Sequence, residues 1–313
     1  AGRAISASAV RAHLSFLADD LLEGRAPGTR GGAIAARYIA SQLAAIGAEP
    51  LRGSYFQQVP LTGWRADPRR TALDFAAGDT RTSLRFLRDA VVWLDSGADS
   101  ARVSGEVVFA GYGVQAPEYE WDDFKGRDLR DRILVVLVRD PPAPPGQPLA
   151  FDGGALTYYG RWTYKVEEAT RQGAAAVLIV HTTEGAGYPW SVVETSFGGE
   201  QLALPRDATS PLQLQGWITL DAARRLFATG GISFDELFVR AARRDFQPVF
   251  TGIRATLRTA GATRRFESPN VIGIVPGTHP TRRAEAVVYT AHYDGLGIGP
   301  VVDGDSIYNG AYD

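Results

Sequence analysis

The chain has 313 residues, of which 45% are hydrophobic and 22% are charged, as is ordinary for a globular protein long enough for two domains. Its formal net charge of −2 gives no electrostatic reason to expect nucleic acid or an anionic membrane as a partner. The absence of cysteine excludes disulfides, thiolate catalysis and cysteine-based metal sites. No apolar run approaches the ~18 residues that a transmembrane helix requires.

The first 47 residues predict two helices joined by a loop. Residues of the first helix that share one apolar face are Val10, Leu14, Leu17 and Leu21. Ser6 or Ser8 is a suitable N-cap for this helix. Glycine and proline are dense in residues 23–32, EGRAPGTRGG, which predicts the loop. The side chains predicted to face inward from the second helix, which stops at Gly47, are Ile39, Leu43 and Ile46.

Short alternating segments between residues 55 and 95 predict antiparallel strands at the edge of a sheet. At residues 96–100, SGADS, the composition changes to small and polar residues, and we place a domain boundary there. The following segment predicts strands at 106–110, 133–138 and 174–180, with helices at 164–172, 221–228 and 234–242. This order of elements is typical of a small α/β module.

Four aspartates of this module lie close in sequence, at positions 122, 123, 128 and 131. Carboxylates are ligands that calcium prefers, so a calcium site is one interpretation. The spacing of an EF-hand is absent, however, and a solvated turn is the favoured interpretation.

Beyond residue 248 the pattern predicts strands at 250–257, 271–275 and 287–290. The run from 286 to 289, AVVY, is short and β-branched, which favours a strand buried on both faces. His292 and Asp294 follow where that strand should end, and ligand sites in α/β sheets form at the carboxyl ends of strands. His292 offers an imidazole, Asp294 a carboxylate that orients it, and Asp313 a further oxygen donor. His13, His181 and His279 lack such surroundings and are interpreted as structural or exposed.

The segments TAHYDGLG and DSIYNGAYD, residues 290–297 and 305–313, resemble the first half of the metal site of the co-catalytic di-zinc aminopeptidases. That family also includes glutamate carboxypeptidase-like enzymes. The resemblance implies that His292 is a zinc ligand, that Asp294 is the catalytic-site residue orienting it, and that Asp313 bridges two zinc ions. Many relatives read Asp-His-Leu-Gly where this chain has Asp-Gly-Leu-Gly at residues 294–297.

Further segments resemble the same family in the same order. LADDLLEGRAPGTRGG, residues 17–32, is similar to the N-terminal region of bacterial members, where this loop lies near the cleft; the resemblance implies that Arg25 contacts substrate. KVEEATRQGAAAVLIV, residues 165–180, looks like part of a protease-associated domain, a module inserted into peptidases. RRFESPNVIGIVPGT, residues 264–278, resembles the re-entry into the catalytic domain.

The implied fold class is α/β: a phosphorylase/hydrolase-like, mixed-sheet zinc-exopeptidase domain interrupted by a smaller α/β protease-associated domain. We expect residues 1–100 to form the first part of the catalytic domain, residues 101–248 the inserted domain, and residues 249–313 the continuation with the first metal ligands. The family's glutamate general base and its three remaining ligands follow the bridging aspartate. We therefore expect this chain to be the N-terminal part of the enzyme.

The implied activity is hydrolysis of peptides at the N-terminus by an aminopeptidase whose two Zn²⁺ ions share an activated water. The expected substrate is a peptide, and the expected location is outside the cytoplasm, periplasmic or secreted. Two alternatives remain open at this point. One is a carboxypeptidase of the same family, and the other is a catalytically inactive peptidase-like protein that binds partners.

Overall fold

The computed structural model describes residues 5–94, 98–142, 151, 155–205, 210–302 and 304–311. Asp313, one of the two predicted metal ligands, lies outside the described residues. The helices are α1 (Ala7–Leu17), α2 (Arg30–Ala45), α3 (Trp162–Arg171), α4 (Thr183–Ala186), α5 (Trp190–Gly198), α6 (Leu220–Ala228) and α7 (Phe234–Ala241). None of the helices formed by the described residues has the length and apolar character needed to cross a bilayer.

The strands begin with β1 (Glu49–Pro50), β2 (Phe56–Ala66), β3 (Ala72–Ala77), β4 (Thr80–Leu84), β5 (Ala90–Leu94), β6 (Ser100–Phe109), β7 (Gln115–Ala116) and β8 (Trp121–Asp122). They continue with β9 (Ile133–Leu137), β10 (Ala176–His181), β11 (Gln201–Ala203), β12 (Leu214–Thr219), β13 (Val249–Val271), β14 (Gly273–Ile274), β15 (Gly297–Val302) and β16 (Asp305–Tyr308). Short 3₁₀ segments cover Asp20–Arg25, Pro68–Arg70, Pro117–Tyr119 and Tyr158–Gly160.

The chain divides into two compact units. Residues 63–264 form one, here the central unit, and residues 1–62 with 265–313 form the other, here the discontinuous unit. The central unit is larger than the module predicted at 101–248, because the strands before residue 100 find their partners inside it. β3 pairs with β13, and β5 pairs with β12.

A mixed sheet is the framework of the central unit. Within the described residues its strand order is β11-β2-β13-β6-β9-β10-β12-β5, with the β3–β4 hairpin attached to β13. The pairs β6–β9, β9–β10 and β10–β12 are parallel, whereas β13–β6 and β12–β5 are antiparallel. The prediction of an α/β protein with a mixed sheet is thereby confirmed.

Side chains alternate between two apolar layers on the faces of this sheet, as the geometry of a strand requires. On one face, the ring of Phe109 meets Phe227 of α6 and Phe234 of α7 edge to face, at centroid distances of 5.8 and 5.7 Å. On the other face, Phe197 of α5 stacks on Trp93 at 4.7 Å. Strands β9 and β10 are buried along their whole length, which explains their unbroken apolar sequences.

The acidic cluster of the module does not converge on a common point. The carboxylate of Asp123 is buried and accepts hydrogen bonds from the Val114 amide and the Trp121 indole, at 3.0 and 2.9 Å. Asp122 accepts from backbone amides of the next turn, and Asp128 pairs with Arg130. Burial raises the pKa of Asp123. These contacts agree with turn-forming and core roles, and the calcium interpretation gains no support from them.

The two α-helices of the discontinuous unit, α1 and α2, bury few apolar side chains. Ser6 caps α1 as predicted, accepting a hydrogen bond from the Ala9 amide at 3.2 Å. Helix α1 has no buried side chain, and Leu14 on its apolar face is 44% exposed. The apolar side chains that α2 buries are small: Ala35, Ala36 and Ala40. Ile46, predicted to face inward, is 74% exposed because α2 ends at Ala45 and the chain turns at Gly47, where φ is +79°.

The predicted buried strand at 287–290 is wrong. Residues 285–296 form no helix or strand, and Val287, Val288 and Tyr289 are between 75% and 92% exposed. A buried strand requires hydrogen-bonding neighbours on both edges and apolar cover on both faces. Among the described residues, no strand pairs with this run. An apolar, β-branched run is therefore not sufficient to predict a buried strand when no described strand pairs with it.

One buried carboxylate in the central unit makes stability depend on pH. Asp89 is 5% exposed and pairs with Arg85 at 2.9 Å and Arg225 at 3.0 Å. Burial alone would raise its pKa, but the hydrogen bonds from Arg85 and Arg225 outweigh it and lower the pKa to about 2. The unfolded chain has a pKa near ~3.9 for aspartate, so the pairing stabilises the fold above that pH and loses its effect as the pH falls towards 2.

We therefore expect Asp89→Asn to lower the free energy of unfolding of the central unit by about 1–2 kcal/mol at pH 7 and by less at pH 3. All six tryptophans lie between residues 63 and 264, so urea denaturation followed by tryptophan fluorescence reports on this unit. The exposed Asp79→Asn is the matched control. A loss of equal size at both pH values would show that the effect does not come from the charge.

Candidate metal centre

His292 lies in the irregular segment 285–296, which we call the histidine loop. Its Nδ1 is 3.0 Å from the backbone carbonyl oxygen of Asp294 and 3.6 Å from the Asp294 carboxylate. A carbonyl oxygen can only accept, so Nδ1 carries the proton and donates it, and the lone pair is on Nε2. This is the tautomer and the orientation in which metal-binding histidines are normally held.

The orienting group differs from the one predicted. The Asp294 side chain was expected to hold the imidazole, but the shorter contact is made by the Asp294 backbone carbonyl. The side chains of His292 and Asp294 are 59% and 45% exposed, so a solute can reach the ring. The backbone two residues beyond His292 thus orients an imidazole that is accessible at the surface.

A complete metal site is not formed by the residues that the structure describes. Among them, no three side chains of the types His, Cys, Asp and Glu lie close enough together to hold one ion. The predicted bridging ligand, Asp313, falls outside the described residues. Imidazole and carboxylate donors suit zinc at a hydrolytic site, so His292 fits as one ligand of such an ion. The metal-binding roles of His292 and Asp313 and the role of Asp294 stay predictions.

Arg25 binds the histidine loop and the segments next to it. It is 5% exposed, and its guanidinium donates only to backbone carbonyl oxygens in the contacts described. Nε donates to Tyr293 at 2.9 Å, and Nη1 donates to Leu17 and, at 2.6 Å, to Asn309. Nη2 lies 3.4 Å from the carbonyl oxygen of Gly310. Arg25 thereby connects the N-terminal part of the chain with two segments more than 260 residues further on, at Tyr293 and at Asn309–Gly310.

The backbone of residues 23–25 is bent to make these contacts possible. Glu23, Gly24 and Arg25 all have positive φ values, of 50°, 67° and 55°. Two non-glycine residues in the left-handed region are an uncommon arrangement that the surrounding contacts must stabilise. Burial lowers the pKa of Arg25, and the nearby charge of Asp294 raises it. The group nevertheless stays charged, as arginine does in proteins, and the carbonyl dipoles replace water around it.

A second side chain that the sequence pattern did not single out is Asn309. Its Nδ2 donates to the carbonyl oxygen of Ala18 and to the Asp20 carboxylate, both at 2.8 Å. Its own backbone carbonyl accepts from Arg25. Asn309 therefore binds the segment Asp20–Arg25, here the 20–25 loop, at both ends: its side chain donates to Asp20 and its backbone carbonyl accepts from Arg25.

Sequence reasoning placed Arg25 near the cleft but gave it a different task. A contact between Arg25 and substrate stays a prediction, whereas its contacts with three segments of the discontinuous unit are structural facts. The signal for Arg25 was the resemblance of residues 17–32 to the family's N-terminal region, which implied contact with substrate and said nothing of backbone partners. The acceptors are backbone carbonyl oxygens, which every residue has, so the sequence cannot indicate which of them Arg25 binds.

The other histidines stay apart from this site. His13 lies 2.9 Å from the Tyr38 hydroxyl, and His279 lies beside Thr281. His181 is buried in the central unit, donates to the Tyr188 carbonyl oxygen and has a pKa lowered by that burial. These contacts agree with their interpretation as structural or exposed residues.

Comparison with known proteins gives little further information. No protein-family model matches the chain, and no curated protein matches it. Among solved structures, the chain is similar to the psychrophilic subtilisin-like protease Apa1 from the Antarctic psychrotroph Pseudoalteromonas sp. AS-11, at 12% identity and a TM-score of 0.28. That match covers 64% of this chain and 35% of the protease. A TM-score this low carries no conclusion about family or activity.

Close packing of the 20–25 loop against the β15–β16 hairpin yields a test of the site. A Cβ added to Gly24 would lie 2.6 Å from the carbonyl oxygen of Gly297 and 2.7 Å from that of Tyr308. Gly47 has a similar φ, and a Cβ there would meet nothing within 4 Å. The two positions thus share the cost of a left-handed alanine and differ in the clash.

We expect Gly47→Ala to cost about 1–2 kcal/mol and Gly24→Ala to cost about 1–3 kcal/mol more. Hydrogen exchange of amides in α2 and β15 measures the stability of the discontinuous unit, in which no tryptophan lies. Equal costs for the two variants would contradict the close approach of Gly24 to the hairpin.

Proposed function

We propose that this chain carries the first metal-binding segment of a zinc-dependent exopeptidase, an aminopeptidase that removes N-terminal residues from peptides. The observation that supports the proposal most is the meeting of segments at Arg25. The three segments are the 20–25 loop, the histidine loop and residues 309–310, and each lies within a stretch of the discontinuous unit that resembles the peptidase family. The resemblance was stated from sequence alone, so their proximity is an independent argument for it.

In this proposal each residue has a chemical task. His292 offers Nε2 as a metal ligand, because its Nδ1 proton is engaged by Asp294. Asp294 fixes the ring through its backbone carbonyl and adds a negative charge nearby, which offsets the positive charge of a bound cation. Asp313 is proposed as the bridging carboxylate. Bound zinc supplies Lewis-acid activation of water and of the scissile carbonyl.

The proposed mechanism also needs a general base, and a glutamate in that role would take the proton of the attacking water. We place the protein outside the cytoplasm on the strength of the same resemblance.

A test uses the protein in its natural length with leucine p-nitroanilide as substrate. We expect hydrolysis that is lost with a chelator and restored by Zn²⁺. His292→Asn should lower kcat/KM by at least about 100-fold, since it removes a metal ligand, whereas the exposed His279→Asn should leave it unchanged. Hydrolysis only of N-blocked peptides from the carboxyl end would favour a carboxypeptidase. Absence of any chelator-sensitive cleavage would contradict the proposal.

A second test separates the two groups that face His292. Because the backbone carbonyl of Asp294 makes the shorter contact, Asp294→Asn keeps the orienting hydrogen bond and loses only the charge. We expect a loss of metal affinity of about tenfold, at the lower end of the range for residues that support a ligand. Titration with Zn²⁺ measures it. A loss as large as that of His292→Asn would show that the carboxylate itself is the essential partner.

A further inference from the structure

We infer that Arg25 is a positioning residue of the metal centre, which holds the histidine loop and residues 309–310 in one arrangement from the 20–25 loop. The inference rests on the proposed function, since that function makes His292 and Asp313 metal ligands. It assigns to Arg25 a task other than contact with substrate.

The first argument is where the acceptors lie. Tyr293 stands between His292 and Asp294, so a hydrogen bond to its carbonyl oxygen fixes the peptide that joins the ligand to its orienting residue. Asn309 and Gly310 stand a few residues before Asp313 in the sequence, and their carbonyl oxygens accept from the same guanidinium. One planar group therefore joins the histidine loop to residues 309–310, which precede the proposed ligand Asp313 in the sequence.

The second argument is that the histidine loop belongs to no regular element. Residues 285–296 form no helix or strand, so no ladder of backbone hydrogen bonds fixes His292. Contacts that join the loop to other segments include the hydrogen bond from the Tyr293 hydroxyl to the Pro269 carbonyl oxygen at 2.6 Å, and the Gly295 amide 3.4 Å from the Arg25 carbonyl oxygen. Arg25 thus takes part in two of the hydrogen bonds that define this loop, one through its side chain and one through its backbone.

The third argument is that residues 295–297 pack closely against residues 24–26. A Cβ added to Gly295 would lie 2.6 Å from the Gly24 carbonyl oxygen, and one added to Gly297 would lie 2.7 Å from the Ala26 side chain. The backbones of the two loops are therefore in direct contact. If the guanidinium is removed, its carbonyl acceptors lose their donor, and the loops are expected to move so that water can replace it.

The fourth argument is the chemistry of the side chain. Arginine donates from three nitrogen atoms that lie in one plane, and all three are used here in different directions. A lysine offers its protons from a single nitrogen and reaches fewer of these carbonyl oxygens. Arg25→Lys should therefore restore only part of what Arg25→Met removes, which a role of simple positive charge would not predict.

The experiment uses the protein in its natural length and two readouts that do not depend on activity. Co²⁺ alone is titrated and followed by its visible absorption, with Zn²⁺ competition for affinity. Hydrogen exchange then reports on residues 293–297 and 308–311. The variants are Arg25→Met, Arg25→Lys and, as the matched control on the exposed surface of α2, Arg37→Met.

We expect Arg25→Met to weaken Co²⁺ binding by at least about tenfold and to speed exchange in both segments, with β9 and β10 unchanged. Arg25→Lys should give an intermediate result, and Arg37→Met should match the unaltered protein. Exchange that rises evenly through the whole discontinuous unit, α2 included, in Arg25→Lys as well as Arg25→Met would overturn a positioning role.

The outcomes also separate this inference from the proposed function. If His292→Asn abolishes Co²⁺ binding while both Arg25 variants bind as tightly as the unaltered protein, the inference fails and the proposed function stands. If the unaltered protein binds no Co²⁺, the proposed function fails, and local exchange at 293–297 and 308–311 alone decides whether Arg25 positions these loops.

Discussion

A guanidinium group that leaves water must find acceptors for its N–H groups, because an unmatched buried charge costs more than a small domain can tolerate. Arg25 meets this requirement with backbone carbonyl oxygens supplied by Leu17, Tyr293 and Asn309, and with a longer contact to Gly310. None of these acceptors belongs to an α-helix or strand except Leu17, the last residue of α1. The arrangement of irregular chain in the discontinuous unit therefore depends on one side chain.

The central unit is stabilised in a different way. Its sheet is held by strand pairing and by apolar layers on both faces, and charged groups are additions to a framework that stands without them. Asp89 is such an addition, since its two arginine partners are themselves partly exposed. In the discontinuous unit α1 buries no side chain, so polar contacts contribute a larger part of the stability there. A change of charge should thus matter more around Arg25 than around Asp89.

The elements that could be predicted from sequence are those whose signal is local. The apolar runs at 133–138 and 174–180 became β9 and β10, and the helical patterns at 221–228 and 234–242 became α6 and α7. The run at 286–289 is also apolar and β-branched, but no strand among the described residues pairs with it, so the same signal led to a wrong prediction there. His292 and Asp294 were singled out together because they are close in sequence, and their roles at a metal stay predictions. Arg25 was singled out for contact with substrate, but its binding of backbone carbonyl oxygens and the contacts of Asn309 were not predicted, because most of these partners lie almost 300 positions away in the sequence.

That separation has a consequence for how the chain reaches its folded state. Arg25 and its acceptors Tyr293, Asn309 and Gly310 are 268, 284 and 285 residues apart. At ordinary rates of synthesis, roughly 15 to 60 s pass between the appearance of the arginine and that of its last acceptor. The whole of residues 63–264 leaves the ribosome in that interval. The Arg25 side chain therefore stays hydrated during synthesis of residues 63–264, and it can bind its distant carbonyl oxygens only after those residues have been made.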